Sequence, residues 1–419
     1  MALWSAMRNE RRPPAVLTRL RDAKLRRLVR HAYDHVPFYR QLSKRHGVSP
    51  GDIRTAEDLP KLPVIDKLDL KAQPLADLIS DRSGSTDDLI LLSTSGSSGV
   101  PLELFIDRDY DALRKAQSLR PYLSGGRRLS DRSAYLTGFP NQKPKWFEHL
   151  GILRERRIDC GAPHTEQLRA LNELRPEVIQ GYPSALSSLA AYIRDHGQWG
   201  AKPRLIFTDS ELLLAESRAL IEKTFCAPVI DVFGSWETGN IAYQCDRHSG
   251  YHIAIDCVVL ELIANDGSPA GDGEEGEIVC TVLDNLTMPL IRYNLHDLAA
   301  YAGDACGCHR SFPLLKVIAG RAADTVHLAD GRSMSSQAFL ASFNFLSEAI
   351  KEFQITQEAV DRFRIVVVPG PRFDAAASER IQGILSARYP GAQVRLDAVD
   401  HIERDTSGKL RSFRSLVPG

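Results

Sequence analysis

Between about residue 85 and residue 300, short apolar runs alternate with helix-like segments, and this alternation constrains the fold more than any other feature of the chain. Apolar runs occupy 133–136, 178–180, 205–207, 228–233 and 276–282, with amphipathic stretches at 165–175, 184–195 and 213–225 between them. A strand that feeds a helix and then another strand is the signature of layered α/β architecture with a parallel sheet. Residues 251–263 and 276–283 break the pattern. They read as paired antiparallel strands, with turns at Asn265-Asp266-Gly267 and Gly271-Asp272-Gly273. Upstream, residues 15–46 have helical spacing that sets Leu17, Leu20, Leu25, Leu28 and Val29 on one face. Composition shifts near 320–335. The tail beyond reads strand, helix (337–350), strand (363–368), helix (375–388) and strand (393–398), an α+β module near the small end of domain size.

With 419 residues the chain exceeds one ordinary core, so two or three domains are expected. Its 53 Lys and Arg balance 53 Asp and Glu, so no global field favours nucleic acid or an anionic membrane. No apolar run reaches membrane-spanning length and no signal-peptide core follows the N-terminal arginines, which makes a cytoplasmic location the expectation. Seven cysteines, an odd number spread thinly, argue against a disulfide framework. Cys160, Cys226, Cys257 and Cys280 sit among apolar neighbours and read as small core residues.

Five segments carry chemistry. Thr94-Ser95-Gly96-Ser97-Ser98-Gly99 follows the apolar run Leu89-Ile90-Leu91-Leu92, which reads as a buried strand; glycines and hydroxyls in such a loop can cradle phosphate oxygens. Phe233-Gly234-Ser235-Trp236-Glu237 ends an apolar strand, where a carboxylate beside phosphates is a natural Mg²⁺ ligand. Asp297 follows the apolar segment Met288–Ile291, and a carboxylate there can accept both ribose hydroxyls. Gly320-Arg321-Ala322-Ala323-Asp324 lies at the composition shift, where a hinge would fall. Thr406-Ser407-Gly408-Lys409 offers a cation on a glycine-flexed loop, suited to a developing negative charge. Singly, each reads as a solvated surface group; their order along one chain gives them meaning.

That ordered set resembles the acyl-adenylate-forming superfamily. His31-Ala32-Tyr33-Asp34-His35-Val36-Pro37-Phe38-Tyr39-Arg40, Gly181-Tyr182-Pro183-Ser184, Met288-Pro289-Leu290-Ile291-Arg292-Tyr293 and Cys306-Gly307-Cys308 bring it nearest the phenylacetate–CoA ligase family and its capsule-biosynthesis relatives. The resemblance implies a large N-terminal domain (1–322) of layered sheets and helices, joined by a hinge at Asp324 to a small mobile domain (323–419). It implies that Thr94–Gly99 hold the ATP phosphates, Glu237 binds Mg²⁺, and Asp297 with Arg321 holds the ribose. Lys409 would contact the carboxylate and α-phosphate. Ser210, Glu211, Phe233, Gly234, Ser235 and Trp236 would shape the nucleotide site, and Tyr135, Phe139, Tyr182, Pro183 and Gly234 the acyl pocket. Leu102 stands where the loop often ends in Lys, Trp236 where a threonine is usual, and His309 where glycine is common.

The implied reaction turns ATP and a small carboxylic acid, an aromatic one among the candidates, into acyl-AMP. The acyl group then passes to a thiol, usually that of coenzyme A. A carrier protein or an amine is the alternative acceptor, and a degenerate nucleotide-binding protein a third reading. Neither nucleic acid nor membrane is expected as a partner, and a homodimer is the default assembly.

Cys245, His248 and His252, with Cys306-Gly307-Cys308-His309 some sixty residues on, have the donors of a tetrahedral zinc site. Related ligases carry the pattern. Cys245, His252, Cys306 and Cys308 are the expected ligands, with His248 or His309 as substitutes for His252, and a closed set of four implies a structural role.

Overall fold

A computed structural model describes residues 2–93, 102–264, 266–303, 306–321, 325–327, 333–335, 349–370, 372–389, 391–404 and 410–417. The chain forms two compact units, 1–125 with 232–318 and 126–231 with 319–419, so it crosses between them three times.

The first unit begins with helices α1 (Ala2–Asn9), α2 (Pro14–His35), α3 (Pro37–Arg45), α4 (Lys67–Lys71) and α5 (Leu75–Leu78). Prolines open α2 and α3, where the missing N–H costs nothing. Leu25, Leu28 and Val29 face a core shared with Leu283, Met288, Leu290 and Ile291, so the helical stripe read from 15–46 is a packing face. Strands β1 (Ile90–Ser93) and β2 (Glu103–Ile106) pair antiparallel, Ile90 opposite Ile106 and Ser93 opposite Glu103. The expected buried strand at 89–92 is thus one arm of a two-stranded hairpin, and Leu91 is 48% exposed. A two-stranded ribbon has one open face, and alternate side chains must lie on it. Leu102 packs with Leu104 and Ile106 in the core, which accounts for an apolar residue where a cation is common. Helix α6 (Arg108–Ser124) follows, its first turn capped by the Asp107 carboxylate, which accepts from Tyr110 N at 2.7 Å.

In the second unit, β3 (Ser133–Thr137), β4 (Glu155–Asp159), β5 (Val178–Gly181) and β6 (Leu205–Asp209) form the parallel array β6-β5-β3-β4 that the alternation predicts. Helices α7 (His164–Leu174), α8 (Pro183–His196) and α9 (Ala215–Phe225) connect them and cover a core of Ile179, Leu186, Leu189, Ile206 and Phe225. Cys160 is buried as expected, as are Cys257 and Cys280 in the first unit; Cys226 is not. It caps α9 in a left-handed conformation (φ 54°) and is exposed, because the residue that ends a helix turns away from the packed face.

β7 (Val229–Ser235) returns the chain to the first unit. There β8 (Gly239–Gln244), β9 (Tyr251–Ile253), β10 (Val258–Ile263), β11 (Glu275–Val282), β12 (Tyr293–Tyr301) and β13 (Leu314–Arg321) run in the order β10-β11-β12-β13-β9-β8. The antiparallel pair read at 251–263 and 276–283 is β10 with β11, Val258 opposite Val282; residues 251–253 are a separate strand paired with β13.

The tail comprises β14 (Thr325–His327), β15 (Ser333–Ser335), β16 (Ile350–Ala359), β17 (Arg362–Pro369), α10 (Ala375–Arg388), β18 (Gln393–Ala398) and β19 (Phe413–Ser415). Four strands form the sheet β18-β17-β16-β19 around Ile355, Phe363, Ile365, Val367, Ile381 and Phe413. The expected helix at 337–350 lies almost wholly outside the described residues; Ile350 begins β16. Among the described residues, no helix is long and apolar enough to cross a membrane.

Candidate functional site

In the first unit the strand before Glu237 turns straight back on itself. Phe233 pairs with Ala242, a bulge follows, and Ser235 pairs with Gly239, leaving Trp236-Glu237-Thr238 as the tip of a β7–β8 hairpin. Only glycine fits at 234, because a Cβ there would lie 2.2 Å from the Gly239 carbonyl oxygen. Gly239 has φ +73°, the left-handed conformation that closes the turn. The Ser235 hydroxyl accepts from the Glu237 and Thr238 N–H groups at 3.2 Å each. Arg114 of α6 donates to the Trp236 carbonyl at 2.9 Å, and Asn240 donates to the Ser118 carbonyl at 3.1 Å. The backbone beneath Glu237 is therefore braced on both sides, and its carboxylate is presented half-buried beside an indole that is 45% exposed. Phe233 packs partly into the core of Ile241, Ala242 and Leu260.

Asp297, half-buried, lies on β12 of the same unit, with β13, β9 and β8 between its strand and β7. Arg321 ends β13, and its side chain is outside the described residues, as are Thr94–Gly99, Asp324 and Lys409.

In the second unit, polar residues gather where β3, β5 and β6 end, the edge at which open α/β sheets take ligands. Asp209 at the end of β6 accepts from Gln180 Nε2 at 2.7 Å, from the Ser210 hydroxyl at 2.8 Å and from the Tyr135 hydroxyl at 3.4 Å. Tyr135 and Tyr182 meet edge-to-face, centroids 6.4 Å apart, and Pro183 opens α8. Phe139 is 43% exposed just beyond β3. Thus Tyr135, Tyr182, Pro183 and Ser210 share one corner. Sequence reasoning missed Gln180 and Asp209, although each is a polar residue near the end of an apolar strand.

Glu211 lies beside the first turn of α8 and the C-terminal segment. Its Oε2 accepts from Ser184 N at 2.9 Å, while Oε1 accepts from the Ser184 hydroxyl at 3.0 Å and from Leu410 N at 2.8 Å. Burial pushes the carboxyl pKa up against these donors, which pull it down. Arg404 donates to the Ser184 hydroxyl at 2.8 Å and to Glu352 Oε1 at 2.6 Å.

A third cluster, in the first unit, has the chemistry of a metal centre. The donor atoms of Cys245, His252, Cys306 and Cys308 all lie within 4.8 Å of one another. Cys245 Sγ is 3.6 Å from Cys306 Sγ, and Cys308 Sγ is 3.3 Å from His252 Nε2. Tetrahedral zinc with Zn–S about 2.3 Å needs sulfurs about 3.8 Å apart, so the set fits the ion with little movement. His252 Nδ1 lies 3.3 Å from the Phe312 carbonyl, a contact that directs Nε2 toward the thiols. The pairing of β9 with β13, His252 opposite Leu314, carries the histidine to the Cys306–Cys308 turn. His248 and His309 are outside the cluster, each with a left-handed backbone. Behind the cluster Arg310 pairs with Glu10 at 3.2 Å, and Arg120, with no exposed surface, pairs with Asp256 at 2.8 Å.

The fold is that of the adenylate-forming acyl-CoA ligases. A crystal structure of 2-hydroxyisobutyryl-CoA ligase, in the postadenylation state with 2-HIB-AMP, superimposes with TM-score 0.78 at 23% identity, covering 98% of this chain and 91% of that one. In sequence the chain is similar to phenylacetate-coenzyme A ligase of Thermus thermophilus, 27% identical over 97% of this chain and 94% of that protein. It is also similar to the protein CapK of Staphylococcus aureus, 22% identical over 84% of this chain and 78% of that protein. Residues 327–415 match the family model of the CapK C-terminal domain.

Proposed function

We propose that this protein activates a carboxylic acid with ATP, forming an acyl-AMP and pyrophosphate, and then transfers the acyl group to the thiol of coenzyme A. The observation that carries the reading is similarity to a phenylacetate-coenzyme A ligase along nearly the whole chain, together with a carboxylate braced at the tip of the β7–β8 hairpin.

Glu237 would hold Mg²⁺, which takes one or two carboxylates with phosphate oxygens and neutralises charge on the departing pyrophosphate. The acid's carboxylate oxygen bonds to the α-phosphorus as the bond to the β-phosphate bridging oxygen breaks. Thr94–Gly99 would cradle the phosphates and Asp297 with Arg321 the ribose. Lys409 would offset charge on the α-phosphate and the incoming carboxylate. In the second step the thiol sulfur bonds to the acyl carbon, AMP leaves, and the thiol proton passes to solvent. Asp324 would be the hinge that exchanges the two steps. Tyr135 and Phe139 would offer flat surfaces to an aromatic acid, with the buried Tyr182 packed behind Tyr135.

The four-donor cluster would hold zinc as a brace, because all four positions are filled by protein and none is open to substrate. A carrier protein in place of coenzyme A remains the alternative acceptor.

The test is acid-dependent pyrophosphate release across a panel of acids, with product mass. Lys409→Ala should abolish that release while leaving thiolysis of supplied acyl-AMP largely intact, and Glu237→Gln should abolish the magnesium dependence of the first step. Equal loss of both half-reactions in Lys409→Ala contradicts the role given to the lysine.

A further inference from the structure

Strand β12 leaves the sheet ladder where Asp297 lies. Between two ladder pairs, Glu277 opposite Leu298 and Val279 opposite Asn294, one residue of β11 faces three of β12. Those three are Leu295, His296 and Asp297. Such a bulge bends the strand and re-aims the side chains that it carries. Leu295 packs inward against the apolar cores on either side. His296 takes a left-handed backbone (φ 57°), an uncommon conformation for a residue with a Cβ, which persists only where the surroundings hold it.

Glu277 and Asn294 supply that hold. The His296 N–H donates to Asn294 Oδ1 at 2.8 Å and closes the turn, while Asn294 Nδ2 donates to Glu277 Oε2. The same Glu277 oxygen lies 3.5 Å from His296 Nδ1, and Asp66, at the N-cap of α4, lies 3.7 Å from His296 Nε2. The hydrogen bond to Glu277 raises the histidine pKa against the pull of burial, and the Asp66 and Asp297 carboxylates add to it, which favours the cationic ring in these pairs. Backbone bonds secure the start of the strand, with Ile65 N donating to the Arg292 carbonyl at 2.9 Å and Asn294 N donating to the Ile65 carbonyl at 2.8 Å.

We propose that Asn294, Glu277 and His296 form a clasp on the 295–297 bulge, and that this clasp positions the Asp297 carboxylate for the ribose hydroxyls of ATP. The proposal rests on the ribose role given to Asp297. Asn294, Glu277 and His296 are positioning residues, which act on the nucleotide only through the carboxylate they aim. A carboxylate that accepts two hydroxyls at once binds best when its orientation is fixed beforehand, because a segment that must order on binding loses affinity to that ordering.

The experiment pairs amide hydrogen exchange with calorimetric binding of ATP, 2′-deoxyATP and 3′-deoxyATP, each with Mg²⁺, on the full-length protein. Asn294→Ala should speed exchange of the His296 amide about tenfold while the amides of β10 keep their protection. The wild type should bind ATP more tightly than either deoxynucleotide, and Asp297→Ala should erase that preference. Glu277→Ala should weaken ATP about tenfold, the effect of losing one hydrogen bond to a charged group, and should weaken the deoxynucleotides less. Glu277→Gln, which keeps an acceptor for Asn294, should recover part of the preference. Glu277→Ala/Asp297→Ala should bind ATP no more weakly than Asp297→Ala, because the clasp acts through that carboxylate alone. Equal weakening of all three nucleotides in Glu277→Ala, or unchanged His296 exchange in Asn294→Ala, overturns the proposal. If the wild type shows no preference among the three, the ribose role itself fails, while the His296 amide still decides whether the clasp holds the bulge.

Discussion

Removing the metal should destabilise the first unit by an amount that can be set from the cluster's geometry. Three thiols and one imidazole stand within 4.8 Å of one another, close to the spacing that the ion requires. Because the donors are already gathered, little folding free energy is spent on assembling them, and the metal's effect reduces to mass action on the native state. At free zinc 1,000-fold above the dissociation constant, that effect is about 4 kcal/mol. For a cooperative unit of about 210 residues, each kcal/mol moves Tm by about 2–4 °C, so metal-free protein should melt about 8–16 °C lower. Differential scanning calorimetry before and after chelation, with zinc quantified by atomic emission, measures both quantities. Cys308→Ser should melt near the metal-free value and gain little from added zinc. Equal melting of zinc-loaded and chelated protein, or purified protein that binds no zinc, would refute the structural assignment.

Gly234→Ala should lower both Tm and adenylation, because the added Cβ would overlap the Gly239 carbonyl and open the hairpin under Glu237; scanning calorimetry and pyrophosphate release measure the two losses. Arg120→Met should cost about 3–5 kcal/mol by leaving the Asp256 carboxylate buried without its main partner, and Arg120→Met/Asp256→Leu should recover most of it, as read by denaturant titration. The same pair predicts acid sensitivity. Burial pushes the Asp256 carboxyl pKa up, but Arg120 and Asn9 outweigh it and hold it below the ordinary carboxylate range. Its stabilising contribution is therefore complete above the ordinary pKa and is lost as pH falls through that value and below. The double variant should lose less stability between about pH 5 and pH 2 than the wild type, measured by chemical denaturation at each pH.

Much of the architecture was legible because strand and helix periods are local properties. Strands β3, β5 and β6 of the parallel array with α7, α8 and α9, and the tail elements β17, α10 and β18, coincide with their sequence patterns to within a residue or two, whereas β4, with its charged Glu155, Arg156 and Arg157, carries no apolar run. Residues 89–92 are not buried as their apolar run suggests, because such a run does not say how many strands will cover it, and among the described residues β1 pairs with β2 alone. β8 escaped notice because its polar residues Asn240 and Gln244 obscure the alternation.

The sequence by itself determined which segments become strands and helices, which residue types could hold phosphate, magnesium or zinc, and that only glycines and hydroxyls fill 94–99. Tertiary structure decided what meets what. His252 rather than His248 joins the three cysteines because β9 pairs with β13, and a histidine four residues away belongs to a different backbone element. Glu211 accepts from the Leu410 amide because the end of β6 and the C-terminal segment are brought together by packing, a long-range fact that no local pattern encodes.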